Sequence, residues 1–243
     1  MSPVRPTDRL QPGVEGSAAL DAFSVACETL HAVLEARGGT DAQGRLAALE
    51  WSLGVAPETG SAFMLAAGEQ LKTGDQMLAP DIEEDAWLKY VLTTACLNQS
   101  RFSRESVLRY LHASGDLLAQ VVNSALDCRF TEGQCSLVKV IAHTKNRPQL
   151  EALSSALQEL PDAPEFKYVA AATNRMKHRN FLPGSIRASL GEDRTVNVTH
   201  STGEFAHNQD AFAPSDLEEL RSRADVLRGL VTRALVELTG LVR

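Results

Sequence analysis

The stretch that most constrains this chain begins at Leu217. From there Leu217, Leu220, Ala224, Leu227, Val231, Ala234, Leu238 and Leu241 recur at alternating steps of three and four. Only an α-helix sets such residues on one stripe, and a stripe about seven turns long has to be covered by other helices. Ser215-Asp216-Leu217-Glu218 supplies a capping-box pattern at its start. The narrow seam suits antiparallel packing inside a bundle, and that expectation organises the rest of the chain.

Further helical stripes are available to cover it. Leu20, Phe23, Cys27, Leu30 and Leu34 form one between Ser17 and Arg37, stopped by Gly38-Gly39. Weaker helical patterns run from Asp41 to Leu53 and from Ser61 to Leu71, with breaks expected at Gly54 and Pro57 and then at Gly74 and Pro80. The acidic run Asp81, Glu83, Glu84, Asp85 suits the start of the next helix, where negative charge meets the positive end of the macrodipole. Asp85 to about Asp127 reads as one long helix or as two hinged near 100–103. Its seam is Leu108, Leu111, Gly115, Leu118, Val122 and Ala125, and Gly115 is expected to admit a close backbone neighbour. Ser136 to His143 is apolar, and its type stays open. A helix starting at Asn146-Arg147-Pro148 carries Leu150, Leu153, Leu157 and Leu160 and is expected to end at Pro161 and Pro164. Glu165 to Arg179 follows, with Phe166, Val169, Thr173 and Met176 inward.

The period then changes to alternation at Ile186, Ala188 and Leu190 and again at Val196 and Val198, around Gly191-Glu192-Asp193. That predicts one hairpin near 185–199 and no other sheet, with Gly203 to Ala213 as loop. Residues 1 to 16, with three prolines and two glycines, read as a loose arm. The predicted fold is mainly α, a helical bundle with a small β-hairpin and extra N-terminal helices.

Hydrophobic residues at 44% and charged residues at 23% are ordinary for a folded globular chain. The first residues lack the apolar core of a signal peptide, and no stretch has the roughly 18 apolar residues that span a bilayer, so a cytoplasmic, membrane-independent protein is expected. Cys27, Cys96, Cys128 and Cys135 show no zinc-ribbon or redox pairing. Cys128, Cys135 and His143 match no common ligand spacing, and neither a metal nor a cofactor is expected.

The net charge of −7 opposes attraction of nucleic acid by the molecule as a whole. Against that background residues 167 to 187 carry five Lys or Arg and no Asp or Glu. At the end of the expected helix, Asn174 and His178 share one face and Lys177 flanks them, with Arg175 and Arg179 further out. A basic island in an acidic chain is a candidate anion site. Along the long helix Asp116, Gln120 and Asn123 make a polar row, which suits either a solvated edge or groups aimed at a site.

The segments Asp116-Leu117-Leu118-Ala119-Gln120-Val121-Val122-Asn123 and Asn174-Arg175-Met176-Lys177-His178-Arg179, with a hairpin before the terminal helix, resemble the HEPN superfamily (higher eukaryote and prokaryote nucleotide-binding). The resemblance covers roughly residues 81 to 242. It implies a HEPN-like helical domain over 81–243, with 1–80 as an N-terminal arm and accessory helices. Many members of that superfamily are metal-independent endoribonucleases, whose motif is an arginine, a polar residue and then a histidine, with four to six residues between arginine and histidine, and whose site is often completed across a homodimer. Histidine near neutral pKa moves protons, and the arginine stabilises the charge that develops on phosphate. Here the family's arginine position falls on Thr173 if His178 is its histidine. A formal match at Arg194 and His200 falls on the expected hairpin, where an extended chain holds them roughly 20 Å apart.

Three functions follow. In the first, a non-catalytic module uses Asn174, Lys177, His178 and Arg179, with Asp116 and Asn123, to bind RNA, a nucleotide or an acidic protein partner. In the second, an active ribonuclease has His178 as catalyst and Arg175 or Arg179 in the arginine role. In the third, a helical scaffold has a basic island that only caps a helix end. The resemblance favours the first.

Overall fold

The computed structural model describes residues 17–62, 64, 84–179, 182–190 and 196–243. The arm expected at 1–16, most of the pattern ending at Leu71 and the boundary expected at residue 80 lie outside the described residues. Among the described residues the fold is mainly α. Its helices are α1 Ala18–Ala36, α2 Thr40–Glu50, α3 Glu84–Ala125, α4 Leu137–Lys145, α5 Glu151–Asp162, α6 Pro164–Arg179 and α7 Leu217–Leu241. None of them is long and apolar enough to cross a membrane.

The terminal stripe forms the spine of the bundle. Leu227, Val231, Ala234 and Leu238 on α7 are fully buried, with α1 along one side of the helix and α5 along another. The cap is shifted by one residue from the expected Ser215 pattern. Asp216 accepts from the Glu219 N–H at 2.8 Å, and the Glu219 carboxylate accepts from the Asp216 N–H at 3.2 Å. Ser215 is held one step earlier by strand pairing with Thr202. At the far end Leu241 is exposed.

Gly54 and Pro57 do not break the second helix. The chain passes from α2 through a π-helical turn, Trp51–Val55, and residues 56–62 stay helical. Pro57 has no N–H, so the Leu53 carbonyl lacks its usual helical donor. Arg228 of α7 supplies one, with Nε 2.8 Å from that oxygen. The same guanidinium, only 1% exposed, donates at 2.7 Å to Glu58 and at 2.7 Å to Asp225. Ser17, which caps α1 by accepting from the Leu20 N–H, donates to Asp225 at 2.6 Å. One buried cation therefore ties the N-terminal helices to the last one, and each of its bonds has a named partner.

α3 is a single helix of 42 residues, roughly 63 Å long, with no hinge at 100–103. It leaves the helix through Asp127 and Arg129, both in the left-handed region, at φ 48° and 64°. Asn123 clamps this exit: its amide donates to the Phe130 carbonyl at 2.9 Å and its carbonyl accepts the Phe130 N–H at 3.0 Å. The apolar segment after it is helical, α4. A 3₁₀ turn, Pro148–Leu150, leads into α5, and Pro161 sits inside the last turn of α5, which ends at Asp162.

The β content is larger than expected. β1 Gly184–Leu190 and β2 Val196–Thr202 form the predicted antiparallel hairpin, from Gly184 opposite Thr202 to Leu190 opposite Val196. β5 Ser215–Asp216 adds to β2 as a third strand. The stretch expected as loop holds a second antiparallel pair, β3 Phe205–His207 and β4 Asp210–Phe212. Its turn places Asn208 at φ 49° and Gln209 at φ 73°, the two left-handed residues of a type I′ hairpin.

Candidate functional site

α3 and α6 lie antiparallel and pin each other at two points. Thr173 Oγ1 donates to the Leu108 carbonyl at 3.3 Å, and the ring of Phe166 fills the space above Gly115. A Cβ at Gly115 would stand 2.8 Å from that ring, so the glycine admits a side chain rather than the backbone the sequence suggested. Phe166 also stacks on His112, at 6.0 Å between centroids and 18° between planes. This stack fixes a half-buried imidazole on the α3 side of the helix pair.

Helical spacing sets exposed Arg109 one turn before His112 and exposed Asp116 one turn after it. Lys177 faces the group from α6. Burial holds the His112 imidazole below its ordinary value of 6.5; the Lys177 ammonium lowers it further and the Asp116 carboxylate opposes them. The result at pH 7 is a neutral imidazole beside Lys177, with a second cation, Arg109, one turn away and one carboxylate close by. Such a surface suits a phosphate backbone, with lysine as a point charge and the neutral imidazole as a hydrogen-bonding group.

The residues expected from sequence separate into groups. Asn174 is half-buried and Lys177 and His178 are exposed on α6, so these three stay together. Asp116 joins them through His112. Asn123 does not, because both ends of its amide hold the Phe130 backbone. Gln120 is engaged by Arg45, whose NH1 donates to it at 2.6 Å. Arg175 is directed to the second hairpin, where its NH1 donates to the Ala206 carbonyl at 3.3 Å. The side chain of Arg179 and the whole of Arg194 lie outside the described residues, and His200 is paired with Ile186 in the first hairpin.

His112 escaped the sequence reading because it stands beside the α3 seam rather than in a motif, and its environment comes from Phe166 and Lys177 on another helix. Buried Arg104 and Tyr168 escaped it too, since their partners Ser201, Phe205 and Phe212 are likewise distant in sequence. Cys128 and Cys135 are buried free thiols, both pushed up chiefly by burial. No group of three or more His, Cys, Asp or Glu side chains that could hold a metal occurs among the described residues. Comparison with known proteins returns no match to a family model, to a curated protein or to a solved structure.

Proposed function

We propose that this chain is a non-catalytic, HEPN-like helical module that binds RNA through the α3–α6 face. The observation that carries the reading is the juxtaposition of Lys177 with the neutral imidazole of His112, one turn from Arg109, in a chain of net charge −7. The local cations supply the attraction that the whole molecule opposes. The non-catalytic half rests on Arg175. Cleavage through the ribose 2′-hydroxyl needs a cation at the scissile phosphate beside the proton-moving histidine, and removing one such contact typically costs on the order of 10²–10³ in rate. Arg175 is engaged with Ala206 and His178 stands in solvent.

The test is incubation with labelled total RNA in EDTA, together with binding isotherms at several salt concentrations. The expected result is no cleavage and salt-sensitive binding. Lys177→Ala and Arg109→Ala should each weaken that binding and reduce the slope of log K against log salt by about 0.7, as loss of one phosphate contact on a single strand does. Metal-free cleavage lost in His178→Ala and Arg175→Ala, or in His112→Ala, would replace this reading with the ribonuclease one. Binding unaffected by salt and by both charge removals would leave the basic island as a helix cap.

A further inference from the structure

A second set of cationic and hydroxyl groups gathers where α3, α6 and α7 meet the strands. Arg104 of α3 is 8% exposed and donates through NH1 to the Ser201 carbonyl at 2.7 Å. Its guanidinium lies so close over Gly184 that a Cβ there would stand 2.5 Å from NH2. Its Nε is buried with no hydrogen-bond partner. Tyr168 of α6 is 3% exposed, and its hydroxyl also has no partner. The Tyr168 ring packs edge-on to Phe205 and Phe212, and the guanidinium carbon of Arg223 from α7 stands 4.1 Å from its centroid. The Nε of Arg223 is buried and unpartnered as well. Ser215 has a buried Oγ without a partner, and it pairs with Thr202, the neighbour of the Ser201 that receives Arg104.

These groups share one deficiency. All four offer hydrogen-bond donors, two of them are cationic, and the Nε of Arg104 and of Arg223 and the hydroxyls of Tyr168 and Ser215 meet no acceptor. Burial lowers the Arg104 guanidinium; the Glu105 carboxylate and the Tyr168 phenol oppose this and Arg101 adds to it. Glu105 is itself bonded to Arg101 at 3.2 Å, so this carboxylate already has a cationic partner. Buried donors left unsatisfied cost free energy, and buried guanidinium charge costs more unless it is paired. A neutral acceptor or a water would meet the donors and leave the charge. A tetrahedral oxyanion meets both, and guanidinium groups are suited to it by geometry. The half-buried Arg223 and the exposed Gly184 put this cluster at the edge of the surface.

We infer that Arg104, Tyr168, Ser215 and Arg223 form a binding site for a phosphate-type oxyanion, either free phosphate or a phosphate monoester. The site is separate from the α3–α6 face and does not rest on RNA binding there. It is tested by calorimetry and thermal unfolding of the full chain with inorganic phosphate and with methyl phosphate, at constant ionic strength against chloride. Wild type should bind and unfold at a higher temperature, with Tyr168→Phe and Ser215→Ala each weakening binding about tenfold, the loss of one hydrogen bond to a charged group. Arg104→Lys should weaken it further, and Lys177→Ala should leave it unchanged. Tighter binding of methyl phosphate assigns the site to an ester, and tighter binding of inorganic phosphate assigns it to the free ion. Without anion, Tyr168→Phe should unfold no lower than wild type, because its hydroxyl has no partner to lose. No phosphate-dependent shift in wild type, an equal shift in Tyr168→Phe and Ser215→Ala, or a shift lost in Lys177→Ala would each overturn the inference.

Discussion

Replacing Arg228 with Met is expected to be among the most damaging single changes in the described part of the chain. The substitution keeps much of the side-chain volume but strands three acceptors: the Leu53 carbonyl and the Glu58 and Asp225 carboxylates. They are not equal. The Asp225 side chain is 35% exposed and rehydrates, whereas that of Glu58 is 8% exposed and cannot. Breaking a buried ion pair by removing one partner costs about 3–5 kcal/mol, and the orphaned Leu53 carbonyl adds about 1. The expected loss is therefore about 4–6 kcal/mol, a large share of the 5–15 kcal/mol typical of a folded domain. Urea unfolding followed by far-ultraviolet circular dichroism at pH 7 measures it. Glu58→Gln alone should cost about 1–3 kcal/mol. In the double variant Arg228→Met, Glu58→Gln, no charge is left stranded at position 58. The double variant should then lie about 2 kcal/mol or more above the sum of the singles. An Arg228→Met protein within about 1 kcal/mol of wild type, or strict additivity, would refute the account of this cation as the tie between the two ends of the bundle.

Leu227→Ala should cost about 2–5 kcal/mol in the same assay, as a fully buried leucine on the central stripe does; a wild-type midpoint would contradict its burial. Gln209→Gly should stabilise by about 1 kcal/mol, since φ 73° strains any residue with a Cβ, and an unchanged or lower unfolding temperature would mean the β3–β4 turn is not of the left-handed kind. The lowered pKa of His112 fixes a pH trend. The folded state binds its proton less readily than the unfolded chain, so the contribution is present above about 6.5 and is lost as pH falls through the folded value. Thermal unfolding between pH 8 and 5 should show His112→Gln losing less stability towards acid than wild type; parallel curves would place His112 in solvent.

The helices were legible because their signal is local and repeated. Leu217 to Leu241 could be nothing else, and Leu20 to Leu34 found their place against it. What failed to read depended on partners far away in sequence. Pro57 predicts a break unless a donor from α7 meets the Leu53 carbonyl, and nothing near Pro57 announces Arg228. The β3–β4 hairpin lacks the glycine that usually marks a type I′ turn, because Asn208-Gln209 stands where Asn-Gly is expected. Within the site, the cluster of Asn174, Lys177 and His178 was visible as a basic island at helical spacing. His112 was not, since its environment comes from Phe166, 54 residues later. Asn123 looked like a site residue because an amide clamping its own helix exit and an amide awaiting a ligand have the same sequence.

The tie between Arg228 and Leu53 spans 175 residues, and that between Ser17 and Asp225 spans 208. Those lengths set an order of events during synthesis. At about 5–20 residues per second, Leu53 is synthesised roughly 9–35 s before Arg228 exists to meet its carbonyl. In that interval α1 holds an apolar face that α7 will cover, with Glu58 and the Leu53 carbonyl hydrated in the meantime. The bundle closes last from its C-terminal end, so a nascent chain stopped short of α7 leaves the faces of α1 and α5 that it packs on uncovered.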